Sequence, residues 1–159
     1  MSNRNPDTPF LSTTAISAGK TAAEIQELLG RGGARRVMSE YEDGEVVAIS
    51  FSLVAGGKDG NREILFRVPV RWENYLAVMQ RVAQKKAKGR SVKPIDREQA
   101  KRTAWRVAKA WLEAQLALVA SEMASMPEVM LPYLVQHPDG LTLYERLESQ
   151  GFKLLEHQK

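Results

Sequence analysis

Between residues 45 and 70 apolar and polar side chains alternate. Val47, Ile49, Phe51 and Leu53 interleave with Val46, Ala48, Ser50 and Ser52, and Ile64, Phe66, Val68 and Val70 interleave with Leu65 and Arg67. A period of two sends successive side chains to opposite faces of a sheet. One face is therefore strongly apolar and needs a cover, and the other is small and mixed. Asp43-Gly44 suits a tight hairpin turn, which makes 36–42 and 45–54 the first two strands. Gly56-Gly-Lys-Asp-Gly60 reads as a longer flexible loop leading to a third strand over 63–70. The expected unit is a three-stranded antiparallel meander.

Outside this stretch the period becomes helical. Thr21-Ala-Ala-Glu24 has the form of a capping box, so the first helix is expected to begin there, to carry Ile25, Leu28 and Leu29, and to end at Gly30, Gly32 and Gly33. Trp72, Tyr75, Leu76, Met79 and Val82 form one stripe of a second helix, which dissolves into the basic loop Lys85-Lys-Ala-Lys-Gly-Arg90 closed by Pro94. Asp96 can cap a third helix, with Gln99 at the capping-box position. This helix is expected to run to about Met126. Trp105, Leu112, Leu116, Val119 and Met123 make one stripe, and Val107, Trp111 and Leu118 a second, implying burial on two sides.

Ser125-Met-Pro127-Glu128 opens a short helix limited by Pro132. Pro138-Asp-Gly140 is a turn, and Thr142-Leu-Tyr-Glu145 is a capping box for a last helix reaching about Gln150. The predicted order is α-β-β-β-α-α-α-α. That is an α+β fold, a three-stranded antiparallel meander with helices packed on one face. Residues 1–16, polar and containing Pro6 and Pro9, read as a flexible N-terminal tail, and 17–159 as a single domain. The tail lacks a signal-peptide apolar stretch and no apolar run is long enough to span a bilayer, so a cytoplasmic protein is expected.

Composition removes several chemistries. The sequence contains no cysteine, which excludes disulfides, thiolate nucleophiles and cysteine-based zinc sites. Its two histidines, His137 and His157, lie near the C-terminus, and His137 reads as a turn residue beside Pro138. Gly19-Lys20-Thr21 looks like the end of a phosphate-binding loop, but Thr14 stands where the pattern needs glycine and no buried strand precedes it. Glu40, Glu42, Asp43 and Glu45 surround a hairpin turn, where carboxylates are solvated more often than they hold a metal. No cofactor, metal or catalytic residue is assigned. An enzyme would require Arg67, Glu63 and Tyr41 to converge on the open sheet face, and the expectation is that the protein is not one.

Charge is what changes the picture. From Arg81 to Lys109 there are eleven basic residues and only two acidic ones, Asp96 and Glu98. That segment carries +9, leaving −5 for the rest of a chain whose total is +4. A dense basic stretch is the electrostatic footprint of a polyanion binder. The candidate nucleic-acid-binding residues are Lys85, Lys86, Lys88, Arg90, Lys93, Arg97, Lys101, Arg102, Arg106 and Lys109. The spacing of Lys101, Arg102, Arg106 and Lys109 lets much of their charge share one side of a helix. Trp105 either stacks a base or packs in the core, and its register with Leu112 and Leu116 favours the core. Arg35 and Arg36, at the end of a glycine-rich helix terminus, would extend the basic surface if they lie beside it.

Several phrases resemble an uncharacterised family of small phage and mobile-element proteins: Lys20-Thr21 with Glu24-Ile25 and Leu28-Leu29, Gly33-Ala34, Thr103-Ala-Trp-Arg106, Trp111-Leu-Glu-Ala-Gln115, Leu131-Pro-Tyr-Leu134 and Thr142-Leu-Tyr-Glu145. The resemblance spans roughly residues 20–155 and implies a mobile-element setting with no catalytic residue. In outline, a β-β-β-α core with a basic helix is also similar to the single-strand annealing proteins. The expected function is that of a non-enzymatic nucleic-acid-binding accessory protein of a phage or mobile element, in which single-strand binding or annealing is what the outline implies. The alternative is an interaction module whose basic surface meets a carboxylate-rich groove on a host or phage protein, such as a defence or replication factor. No membrane partner is expected.

Overall fold

The alternating stretch forms the two central strands of a four-stranded antiparallel sheet in a computed structural model that describes residues 14–153. The strands are β1 (Arg36–Glu42), β2 (Glu45–Gly57), β3 (Gly60–Pro69) and β4 (Leu134–Val135), side by side in that order. Asp43 and Gly44 both take positive φ, 49° and 79°, the left-handed pair that a two-residue hairpin turn demands. On the apolar face Ile49 lies opposite Val68, Phe51 opposite Phe66 and Leu53 opposite Ile64. The Phe51 and Phe66 rings stack with centroids 5.2 Å apart.

The sheet departs from the expectation in three ways. Val47 is an extra residue on β2, because Glu40 pairs with Ala48 while Tyr41 pairs with Val46. This bulge resets the alternation, so Val46 joins the core alongside Ile49. The expected Gly56–Gly60 loop is instead a tight turn. Gly57 pairs with Gly60, and Gly60 supplies a φ of 101°. The meander is also not three-stranded, since β4 adds Leu134 opposite Phe66 and Val135 opposite Leu65. Two residues are too few to show a period, and Pro132 just before them hid the extended segment.

The helices are α1 (Ala18–Arg31), α2 (Trp72–Ala87), α3 (Arg97–Ala120), α4 (Met126–Met130) and α5 (Leu143–Ser149). α1 starts earlier than Thr21. Ser17 is its cap, accepting from the Lys20 amide at 3.2 Å. Thr21 sits four residues before Ile25 and eight before Leu29, so it falls on the buried stripe and cannot cap. Its Oγ1 is buried without a hydrogen-bond partner.

α2 continues through Ala87, taking in part of the expected basic loop. α3 ends at Ala120 rather than near Met126. Glu122, at φ 57°, turns the chain away, which leaves Met123 exposed in spite of its helical spacing. The capping boxes of α4 and α5 form with Ser125–Glu128 and Thr142–Glu145. The predicted N-terminal tail, 1–16, lies mostly outside the described residues.

α1 packs on β1, β2 and α3, and α3 packs in turn on α2. The core joins Ile25 and Leu29 of α1, the apolar sheet face, Trp72 of α2 and Trp105 and Leu112 of α3. Trp105 is fully buried, so it is a core residue and does not stack a base at the surface. Among the described residues, no helix is long and apolar enough to cross a membrane.

Candidate nucleic-acid interface

The basic segment is divided by the fold into two populations. The first lies on α3 and is consumed internally. Lys101 is buried, and its Nζ donates to Glu45 Oε1 at 2.5 Å and to Glu98 Oε1 at 3.0 Å. It also sits 4.9 Å from the centroid of the Trp72 ring, while Arg97 stacks on the same ring at 5.2 Å. The hydrogen bond to Glu45 is the largest influence on Lys101 and raises its pKa above the ordinary lysine value, so it stays charged. It ties the β1–β2 turn to the starts of α2 and α3.

Arg102, Arg106 and Lys109 are engaged in the same manner, whereas Arg97, also on α3, is exposed and pairs only with the Trp72 ring among the described residues. Arg102 Nη2 donates to Gln99 Oε1 at 2.8 Å and approaches Asp96 at 3.8 Å. Arg106 donates to Glu24 of α1 at 2.6 Å, and Lys109 lies 3.6 Å from the same carboxylate and 2.6 Å from Glu113. Burial pushes Glu24 upward, but the hydrogen bond and charge of Arg106, with Lys109 behind them, hold its carboxyl below the usual range. Arg106 and Lys109 fasten α1 to α3, and their spacing is that of a helix–helix seam, while Arg102 bonds within the first turns of α3.

The second population comprises Arg81, Lys85 and Lys86 on α2 and Lys88, Arg90 and Lys93 in the connection to α3. All six are exposed. Among the described residues none has a carboxylate within ion-pair distance, and no acidic residue occurs between Arg81 and Lys93 to supply one. Arg81 and Lys85 stand four residues apart, which puts them on one side of the helix end. The chain then reverses through two left-handed residues, Lys88 at φ 47° and Gly89 at φ 86°. This turn brings 90–95 back beside α2. There Gln80 and Gln84 face Val92, Lys93, Pro94 and Ile95 across a groove of about 270 Å³.

Lys85 and Lys86 occupy the last turn of α2, where cations complement the negative end of the helix dipole. That accounts for two of the six. Arg81 stands a turn too early, and Lys88, Arg90 and Lys93 lie beyond the helix, so their charge has no structural use of this kind.

Arg35 and Arg36 do not extend the patch. Arg36 Nε approaches Glu63 on β3 at 3.4 Å, across the sheet face that the helices leave open. That face carries a polar ladder. Ser50 and Arg67 both donate to Glu40, Arg67 Nε at 2.8 Å, and Ser52 donates to Glu63 at 2.7 Å. The Ser52 hydrogen bond, with the charges of Arg36 and Arg35, holds Glu63 below the ordinary carboxylate range. Arg67 and Glu63 thus share this face, as an enzyme reading requires. Glu40 and Glu63 are each neutralised, however, and Tyr41 is not joined to them. No group of three metal-ligating side chains occurs among the described residues. No family model, curated protein or solved structure matches this chain.

Proposed function

We propose that this protein is a non-enzymatic, cytoplasmic nucleic-acid-binding accessory protein of a phage or mobile element, gripping phosphates with Arg81, Lys85, Lys86, Lys88, Arg90 and Lys93. The observation that carries the reading is the sorting of cations. The fold spends carboxylates on Lys101, Arg102, Arg106 and Lys109 and leaves six neighbouring cations facing water. Exposed cations crowded within thirteen residues repel one another, and a polyanion relieves that repulsion while counterions are released from its phosphates. The mobile-element setting is supported by the phrases that resemble such proteins.

The proposal has a numerical consequence. Six phosphate contacts give a slope of log affinity against log salt of about −5 on duplex DNA and about −4 on a single strand. Fluorescence anisotropy with labelled single- and double-stranded oligonucleotides measures both. Lys85→Ala, Lys86→Ala, Lys88→Ala and Arg90→Ala combined leave two contacts and a slope of roughly −1.5 to −2. Absence of binding to either probe at about 50 mM salt, where electrostatic binding is strong, overturns the proposal. Recovery of a nuclease-resistant complex with an acidic protein in that case would move the patch to the protein-partner reading.

A further inference from the structure

The sheet has two edges, and the fold treats them differently. β4 is two residues long, and its Val135 bridges to Thr142, which leads into α5. β1 is seven residues long and pairs only with β2 among the described residues. About half of its amides and carbonyls therefore point away from the sheet, an invitation to another strand. Natural edges are commonly blunted by proline or lysine, and β1 contains neither. Met38 and Tyr41 on it are 55% and 65% exposed. The bulge residue, Val47, belongs to β2, so β1 keeps an unbroken alternation of its own.

We propose that β1 pairs antiparallel with β1 of a second copy of this chain, about a twofold axis at Ser39. The inference stands independently of the nucleic-acid reading. Symmetry restricts the register. Hydrogen-bonded and non-bonded pairs alternate along an antiparallel ladder, so a twofold axis must place one residue opposite its own copy. Centring on Glu40 opposes two carboxylates. Centring on Met38 pairs five of the seven residues and sets Arg36 against Glu40, a carboxylate already held by Arg67 and Ser50. Centring on Ser39 pairs the whole strand. Arg36 then lies opposite Glu42 of the second copy at both ends, and Val37 lies opposite Tyr41 on the helix-bearing side.

The charges suit this occupant. Glu42 has no ion-pair partner among the described residues, and Arg36 reaches only Glu63, at 3.4 Å. Exposed pairs of this kind fix register more than they add affinity. A single strand edge is a small interface, so a dissociation constant on the order of 10 μM is expected. Twofold pairing consumes the β1 edge of both copies, which closes this contact at a dimer.

Sedimentation equilibrium on the nucleic-acid-free full chain, over a concentration series, tests the proposal. Symmetry places two Arg36–Glu42 contacts in each dimer, so Arg36→Glu or Glu42→Arg alone creates two like-charge junctions and weakens association about tenfold. The double variant carrying both reversals restores the pairs and returns the constant to within about threefold of the parent. Both side chains are exposed, and circular dichroism melting confirms that each variant is folded. A chain that stays monomeric to several hundred micromolar (well above the order of 10 μM expected of such an edge) overturns the inference. So does a dimer indifferent to both single reversals, or one that the double variant fails to rescue.

Discussion

Replacing Lys101 separates the two populations of cations. Its side chain is 11% exposed, whereas the acceptors Glu45 and Glu98 are 51% and 63% exposed. Removing the ammonium therefore strands no buried carboxylate, because water takes its place. The loss is limited to two charge-assisted hydrogen bonds, discounted for their solvated acceptors to roughly 1–1.5 kcal/mol. The cation over the Trp72 ring adds about 0.5–1 kcal/mol. Lys101→Met keeps an apolar stem against that ring and should cost about 2 kcal/mol. Lys101→Ala also opens space beside Trp72 and should cost about 3 kcal/mol. Urea denaturation at neutral pH measures both, and a 2 kcal/mol loss lowers the melting temperature by about 4–8 °C in a chain of this size. Because the Lys101 pKa is raised, its stabilisation is complete below the ordinary value of 10.5 and disappears only as pH rises through the higher folded value. Oligonucleotide affinity should change less than about twofold, the cation having no phosphate contact to lose. A Lys101→Met protein with parental stability and weakened binding would refute the reasoning, since it would make Lys101 a phosphate ligand rather than a clasp.

Glu24→Gln should lower stability by about 1 kcal/mol at pH 7, because the carboxylate is partly solvated and shared between Arg106 and Lys109. Its lowered pKa means that this stabilisation is present above the ordinary 4.5 and is lost as pH falls through the folded value, so the acid limb of a melting-temperature profile should flatten in the variant. Thr21→Val should stabilise the chain by about 1 kcal/mol in thermal unfolding, since it replaces an unpartnered buried hydroxyl with a methyl of the same shape. A loss of about 1 kcal/mol would instead restore Thr21 as a cap. Lys88→Gly should relieve the left-handed backbone at φ 47° and raise stability by up to about 1 kcal/mol, while weakening oligonucleotide binding.

Much of the framework was legible because its signals are local and periodic. The alternation at 48–53 and 64–70, the Asp43-Gly44 turn and the Thr142–Glu145 capping box each state their geometry within a few residues. Elements whose geometry is decided at a distance were not legible. Thr21 has the form of a cap, but Ser17 takes that role because Ile25 and Leu29 draw Thr21 into the core. β4 exists only because β3 offers Leu65 and Phe66 as partners. Val47 becomes a bulge only through the pairing of β1 with β2.

The basic segment follows the same rule. Sequence located its charge, but nothing within 81–109 told that Glu24, fifty-seven residues before Arg81, would meet Arg106 and Lys109. Helical spacing predicts a shared side equally for a ligand surface and for a seam between helices. A signal was present in retrospect. Trp105, Leu112 and Leu116 place that part of α3 in the core, and cations flanking a buried stripe are well placed to meet carboxylates of a neighbouring helix.

The division of labour between the two populations can be read directly by titrating isotope-labelled protein with a short single-stranded oligonucleotide and following backbone amide shifts. Perturbations confined to 81–93, with their extent falling as salt rises and the amides of 101–109 unmoved, are the predicted result. Shifts centred on 101–109, or none at any salt concentration, would contradict it.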